Sequence, residues 1–234
     1  MTLSLITPPQ SYKEKIAQYS KLDFALSLLV FVLYILAMAL CGTVEKYLNT
    51  VNRTLLGIAI NLVFTALVFV FVKKRGEKLN TLGLTKQNVK LSLLLGGVLS
   101  LFLFFCNCLS NILFENQHFI QFNLLLLYFV YFFSVSLCEE VMFRGYILTR
   151  LHAITKKVYL DVILAGVLFV FMHFPFRMVA YKITFWQFIS NVPYMLNLFI
   201  THLVLAFIRI KTDNLWGAIL PHWVSNFAYN IVTH

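Results

Sequence analysis

The chain has 234 residues, 60% of them hydrophobic and only 12% charged, with a formal net charge of +10. A soluble domain is about 45–50% apolar and about 25% charged, and one small core cannot hold this excess, so a soluble globular protein is excluded and lipid must cover the remaining apolar surface. The positive charge is not a nucleic-acid footprint, because Lys and Arg fall in short connectors between apolar runs, where they set membrane topology.

Residues 1–21 are polar. They lack a short apolar stretch followed by a small-residue cleavage site, so no cleaved signal peptide is expected and the segment is read as a cytoplasmic N-terminal tail. Residues 22–234 are read as one membrane domain, because no long polar insertion interrupts them. A membrane helix needs about 20 mainly apolar residues. Seven runs qualify as candidates: 24–42, 55–72, 91–113, 122–138, 160–174, 185–208 and 215–232. The sixth is long and carries Pro193, which kinks or breaks it. The expected fold is therefore all-α, a polytopic transmembrane helical bundle with seven to eight membrane helices. Cys41, Cys106, Cys108 and Cys138 lie in or beside these runs without zinc-finger spacing and read as small apolar residues.

The connectors give an orientation. Basic residues concentrate before the first run (Lys13, Lys15, Lys21), after the second (Lys73, Lys74, Arg75, Lys78, Lys86, Lys90), after the fourth (Arg144, Arg150, Lys156, Lys157) and after the sixth (Arg209, Lys211). Alternating crossings place these regions on one side, with 15 of the 19 basic residues, against Lys46, Arg53, Arg177 and Lys182 on the other. The rich side is expected to be the cytoplasm, in a cell membrane crossed several times.

Ionisable groups deep in an apolar run are costly and mark function by default. Glu139 and Glu140 end the fourth run, His173 ends the fifth, His202 lies in the sixth, and His222 and Asn226 lie in the seventh. The fourth and fifth runs form a hairpin turning near residues 153–157, so Glu139 and His173, each 17 residues from Lys156, reach equal depth, roughly 25 Å from the turn at 1.5 Å per residue. His222, 11 residues past Lys211, reaches a broadly similar depth of about 16 Å. His222 and Asn226 share a helix face, and Glu140 and Arg144 are spaced as an intrahelical ion pair with the acid N-terminal to the base. His202 is read as a structural hydrogen-bonding residue, as are His118, His152 and His234 in connectors or at the end. Asp161 is placed at the interface, near Lys156 and Lys157.

A carboxylate in an apolar site becomes a better base toward water, imidazoles can hold that water, and an Asn amide can donate to a developing oxyanion. Together they suit amide-bond hydrolysis. Glu139, His173 and His222 are equally a candidate ligand set for a divalent metal such as zinc, with room for a water; the sequence leaves both open. It has no His-Glu-x-x-His or Gly-x-Ser-x-Gly motif and no pair of membrane aspartates.

Three segments carry a family resemblance: Glu139-Glu140-Val-Met-Phe-Arg144 matches a Glu-Glu-x-x-x-Arg motif, Phe169-Val-Phe-Met-His173 a Phe-x-x-x-His motif, and His222-Trp-Val-Ser-Asn226 a His-x-x-x-Asn motif. In this order and spacing, and with Leu82–Leu84, they make residues of about 80 to 230 resemble the type II CAAX prenyl endopeptidase-like group, the CPBP or ABI proteins. The resemblance implies an intramembrane endopeptidase open toward the cytoplasmic half. It implies Glu139 as the base, assisted by His173, His222 and Asn226 as oxyanion stabilisers, and Glu140 and Arg144 as supporting residues. It implies peptide or lipid-associated protein substrates, with eukaryotic relatives trimming prenylated proteins and bacterial ones linked to bacteriocin immunity and peptide maturation. The family also includes proteins without demonstrated proteolysis, so a non-catalytic immunity or scaffold protein is the alternative. A proton-coupled carrier is a third reading, against which stands the lack of inverted repeats. Composition rich in Ile, Phe, Lys and Asn points to a bacterial plasma membrane.

Overall fold

A computed structural model describes residues 7–233; the first six residues of the expected tail, and His234, lie outside the described residues. The elements are helices α1 (Gln10–Ala17), α2 (Lys21–Val44), α3 (Thr50–Lys74), α4 (Val89–Phe104), α5 (Ser110–Phe114), α6 (Phe122–Glu139), α7 (Leu148–Thr155), α8 (Val158–Phe171), α9 (His173–Ala180), α10 (Phe185–Ser190), α11 (Val192–Thr212) and α12 (Trp216–Asn230). The two-residue strands β1 (His118–Phe119) and β2 (Val232–Thr233) pair antiparallel. The protein is an all-α polytopic helical bundle.

Among the described residues, six helical stretches are long and apolar enough to cross a membrane: Lys21–Tyr47, Thr50–Lys74, Val89–Phe114, Phe122–Thr155, Val158–Ala180 and Val192–Thr212. The seven to eight expected are not confirmed by length and composition. The seventh apolar run forms α12, whose 15 residues span only about 22 Å at 1.5 Å per residue, short of a bilayer core. The sixth run breaks instead of kinking. Asn191 ends α10, and its side-chain oxygen accepts from the Tyr194 N–H to start α11, with Pro193 in the first turn where no N–H is needed.

Local chemistry sets the other boundaries. At the start of α2, Ser20 and Asp23 form a capping box, each side chain accepting from the other's backbone N–H. Asn49 accepts from the Asn52 N–H to start α3. The short α1 docks on the basic end of the bundle through buried Tyr12 and Ile16. Lys15 meets Asp213 at 2.8 Å, which Arg209 also holds at 2.8 Å. Arg150 meets Glu77 at 2.6 Å and lies between the Tyr19 and Tyr146 rings. The N-terminal segment is thus packed onto the helical domain, and Arg144, Arg150 and Arg209 are fully buried, not loop residues.

The placement of α12 depends on a glycine contact with α4. A methyl group on Gly217 would collide with the Ser92 carbonyl oxygen, and one on Gly96 with the Gly217 carbonyl. Ser92 completes the contact by accepting from the Gly217 N–H at 2.8 Å. Gly97, one residue on, has nothing within 4 Å of an added methyl. Adjacent glycines should therefore respond oppositely to alanine. Gly96→Ala should cost about 1–3 kcal/mol by overpacking, whereas Gly97→Ala should be neutral or add up to ~1 kcal/mol through helix propensity. Unfolding in detergent, followed by circular dichroism, measures both; equal destabilisation would contradict the contact.

Candidate active site

The site is built where the fourth membrane helix changes geometry. After Glu139 the chain continues for eight residues, Glu140–Ile147, as a π-helix before α7 resumes. Such bulges widen the turn and occur often at functional sites. Every residue of this segment is buried. Gly145 lets the Leu82 carbonyl approach, at 3.0 Å from where a methyl would stand. Gly83, at φ +90°, turns the preceding loop and accepts from the Leu215 N–H at 2.9 Å, tying it to the start of α12. The Leu82–Leu84 stretch is therefore a wedge between the site helices.

Within this frame Glu139 is 7% exposed, Glu140 and Arg144 are fully buried, and His222 is 7% exposed. Arg144 Nη1 lies 3.0 Å from Glu140 Oε1. The same carboxylate oxygen lies 2.7 Å from His222 Nδ1, which donates to it when that nitrogen carries the proton. His222 Nε2 then faces Glu139 Oε2 at 3.6 Å, too long for a direct hydrogen bond. Pro221 precedes His222 in α12 and has no N–H to donate one turn back, loosening the helix at that point.

His173 begins α9, where the fifth apolar helix bends. Its Nδ1 lies 2.8 Å from the Phe169 carbonyl oxygen, so that nitrogen is the donor and Nε2 is left free. The Phe169 ring is the hub of the group, with Arg144 over its face at 4.1 Å and the rings of His173, His202 and His222 centred 5.2, 5.8 and 6.3 Å away. The structure thus brings Glu139, Glu140, Arg144, His173 and His222 together. Asn226 lies one turn beyond His222 on α12, and its backbone carbonyl accepts from the Asn230 side chain. His202 hydrogen-bonds the Val162 carbonyl at 3.1 Å, a helix-to-helix tie consistent with its structural reading. Asp161 is buried within the protein, where His152 and Thr155 hold its carboxylate.

Sequence reasoning missed two partners. Glu140 holds His222 as well as Arg144, a contact 82 residues apart in sequence that no local pattern marks. Phe169 was a motif letter without a role; its ring position supplies one. Among the described residues no group of three or more His, Cys, Asp or Glu is arranged to hold a metal ion. His222 offers one nitrogen to Glu140 and only the other to Glu139.

Residues 121–228 match the family model described as type II CAAX prenyl endopeptidase Rce1-like. The matched stretch contains all three motifs, while Leu82–Leu84 precedes it. This family supports intramembrane endopeptidase activity in general. No curated protein and no solved structure matched the chain.

Proposed function

Taking as premise that residues 121–228 form an Rce1-like type II CAAX prenyl endopeptidase domain, we propose that the chain hydrolyses peptide bonds of membrane-associated peptides or proteins with a water activated by Glu139. The observation that carries this reading is the buried cluster in which Glu139 faces His222 across 3.6 Å while Glu140 and Arg144 hold the other side of that imidazole.

The reaction follows from the donors and acceptors present. A water beside Glu139 gives its proton to the carboxylate as its oxygen attacks the scissile carbonyl carbon. His173 Nε2, left as an acceptor by the Phe169 carbonyl, orients that water. The carbonyl oxygen takes the negative charge, and the Asn226 amide donates to it. His222 Nε2, on the imidazole whose Nδ1 lies 2.7 Å from Glu140, adds a second donor when the ring carries both protons. The carbon–nitrogen bond then breaks, and Glu139 returns the proton to the leaving amine. Glu140 and Arg144 touch no substrate; they fix His222 and Phe169 in place.

We take the maturation of bacteriocins or signal peptides, or immunity to them, as the biological setting of this reading. The alternative, a non-catalytic immunity or scaffold protein, predicts that a folded Glu139→Ala variant keeps its phenotype. Comparing the peptides of membranes carrying wild type and Glu139→Ala decides: substrates should accumulate uncut with the variant, and identical peptide profiles would contradict proteolysis.

The orientation belongs to the same reading, with the N-terminus cytoplasmic in a cell membrane. Leaving out the three buried arginines, twelve basic residues still face four. These sides do not depend on α12, since every basic region precedes it. Lys78 and Lys182 are both exposed, in connectors assigned to opposite sides. An impermeant thiol reagent added outside intact cells should label Lys182→Cys and spare Lys78→Cys; the reverse pattern would overturn the topology.

A further inference from the structure

A groove of about 450 Å³ opens between α8 and α11, at the end of the bundle where the basic connectors gather. Val158, Val162 and Ile163 form one wall, and Leu203, Phe207 and Lys211 the other. From Leu203 to Lys211 the wall follows about 12 Å of helix at 1.5 Å per residue. Ile163 and Phe207 are exposed, so the groove is open to whatever surrounds the bundle. Its deep part is apolar, but its mouth is cationic. Lys211 lines it, and the exposed Lys156 and Lys157 directly precede Val158. Among the described residues, no Asp or Glu lines it. The acids nearest in sequence, Asp161 and Asp213, are buried and already held, the first by His152 and Thr155, the second by Lys15 and Arg209. The groove also adjoins the frame of the catalytic cluster. The Val162 carbonyl on its wall meets His202 Nε2 at 3.1 Å, and the His202 ring lies 5.8 Å from the Phe169 ring.

We propose that this groove is a binding site for one anionic phospholipid, with an acyl chain seated between α8 and α11 and the headgroup phosphate at Lys156, Lys157 and Lys211. An apolar slot alone would take any acyl chain; the charge at its mouth selects the headgroup. Basic pockets between membrane helices on the cytoplasmic side hold anionic headgroups in this way, each lysine adding to the attraction. The orientation of the chain in the membrane puts the mouth in the cytoplasmic leaflet, where anionic lipid is supplied. A seated chain fills the gap between the two helices and braces the His202–Val162 tie. That tie lies on the helix that carries Phe169 and leads into His173. The lipid therefore stabilises the folded bundle by binding it and not the unfolded chain.

The test titrates the full chain, purified in detergent, with phosphatidylglycerol and with phosphatidylcholine of identical acyl chains. Retained lipid is counted by native mass spectrometry, and thermal unfolding is followed in parallel. Neither readout requires turnover, so the result does not depend on the peptidase reading. Phosphatidylglycerol should be held roughly ten- to hundredfold more tightly, the gain expected from two or three lysines at a headgroup, and should raise the unfolding temperature more. Combining Lys156→Gln, Lys157→Gln and Lys211→Gln should erase the preference. Lys73→Gln with Lys74→Gln removes two exposed charges assigned to the same side but away from the groove, and should keep it. Ile163→Trp fills the groove without touching a charge and should release the bound phosphatidylglycerol. Equal retention of the two lipids would overturn the proposal. So would a preference lost equally in the Lys73 and Lys74 variant, which would mean diffuse surface charge. Undiminished phosphatidylglycerol binding by Ile163→Trp would show that no chain sits in the groove, and would overturn it as well.

Discussion

Glu139→Gln is expected to lower peptide turnover by about 10²–10⁴-fold, the usual contribution of a positioned general base, in a chain that still folds. Gln has the shape of Glu but cannot take a proton from water. Glu139 makes no ion pair within its own helix, and its nearest charged-group contact is His222 Nε2 at 3.6 Å. The substitution therefore removes the chemistry and little of the packing. Glu140→Gln should harm the chemical step less. The amide oxygen still accepts from His222 Nδ1, which Glu140 Oε1 meets at 2.7 Å, but the charge opposite Arg144 is gone and the site loosens. A quenched peptide assay, with folding checked by gel filtration in detergent, separates the two. Equal loss in two well-folded variants would contradict this division of labour.

The largest effect on stability is expected from Arg144. Its side chain is fully buried, pairs with Glu140 at 3.0 Å, and rests on the Phe169 ring at 4.1 Å. Arg144→Leu leaves the Glu140 charge buried with only the His222 N–H as partner, and breaking a buried pair in this way costs about 3–5 kcal/mol. Replacing both members, Arg144→Leu with Glu140→Leu, should recover most of that loss, because a buried ion pair is often no more stable than its apolar substitute. The double variant should remain inactive, since His222 Nδ1 then has no acceptor to fix its orientation. Thermal unfolding of the single and double variants in detergent provides the comparison. A double variant as unstable as Arg144→Leu would show that the pair is not what Arg144 contributes.

The sequence discloses these residues because bilayer physics leaves them few disguises. Glu139, His173 and His222 are polar groups inside apolar runs, and counting from the basic turns was enough to place them at comparable depth. The Glu140–Arg144 pair follows from spacing alone, although the segment proved π-helical, not α-helical. That bulge was hidden because its sequence has no Pro or other signal that separates the two geometries. The fate of the long sixth run turned on Asn191 capping a new helix ahead of Pro193, a choice between kink and break that hydropathy does not make. The seventh apolar run has the hydropathy of a span, but hydropathy does not give the length of α12, 15 residues. The docking of α1 was missed for a different reason. Tyr12, Ile16 and Tyr19 look unremarkable in a polar tail, and only Arg150 and Arg209, buried 130 or more residues later, give them a surface to cover.

The most direct measurement is side-by-side turnover of a lipid-embedded peptide pool by purified wild-type chain and by Glu139→Gln, both in vesicles, with new termini read by mass spectrometry. The account predicts new termini with the wild type and almost none with Glu139→Gln at equal folded protein. New termini produced equally by both, or by neither while the chain remains folded, would contradict it.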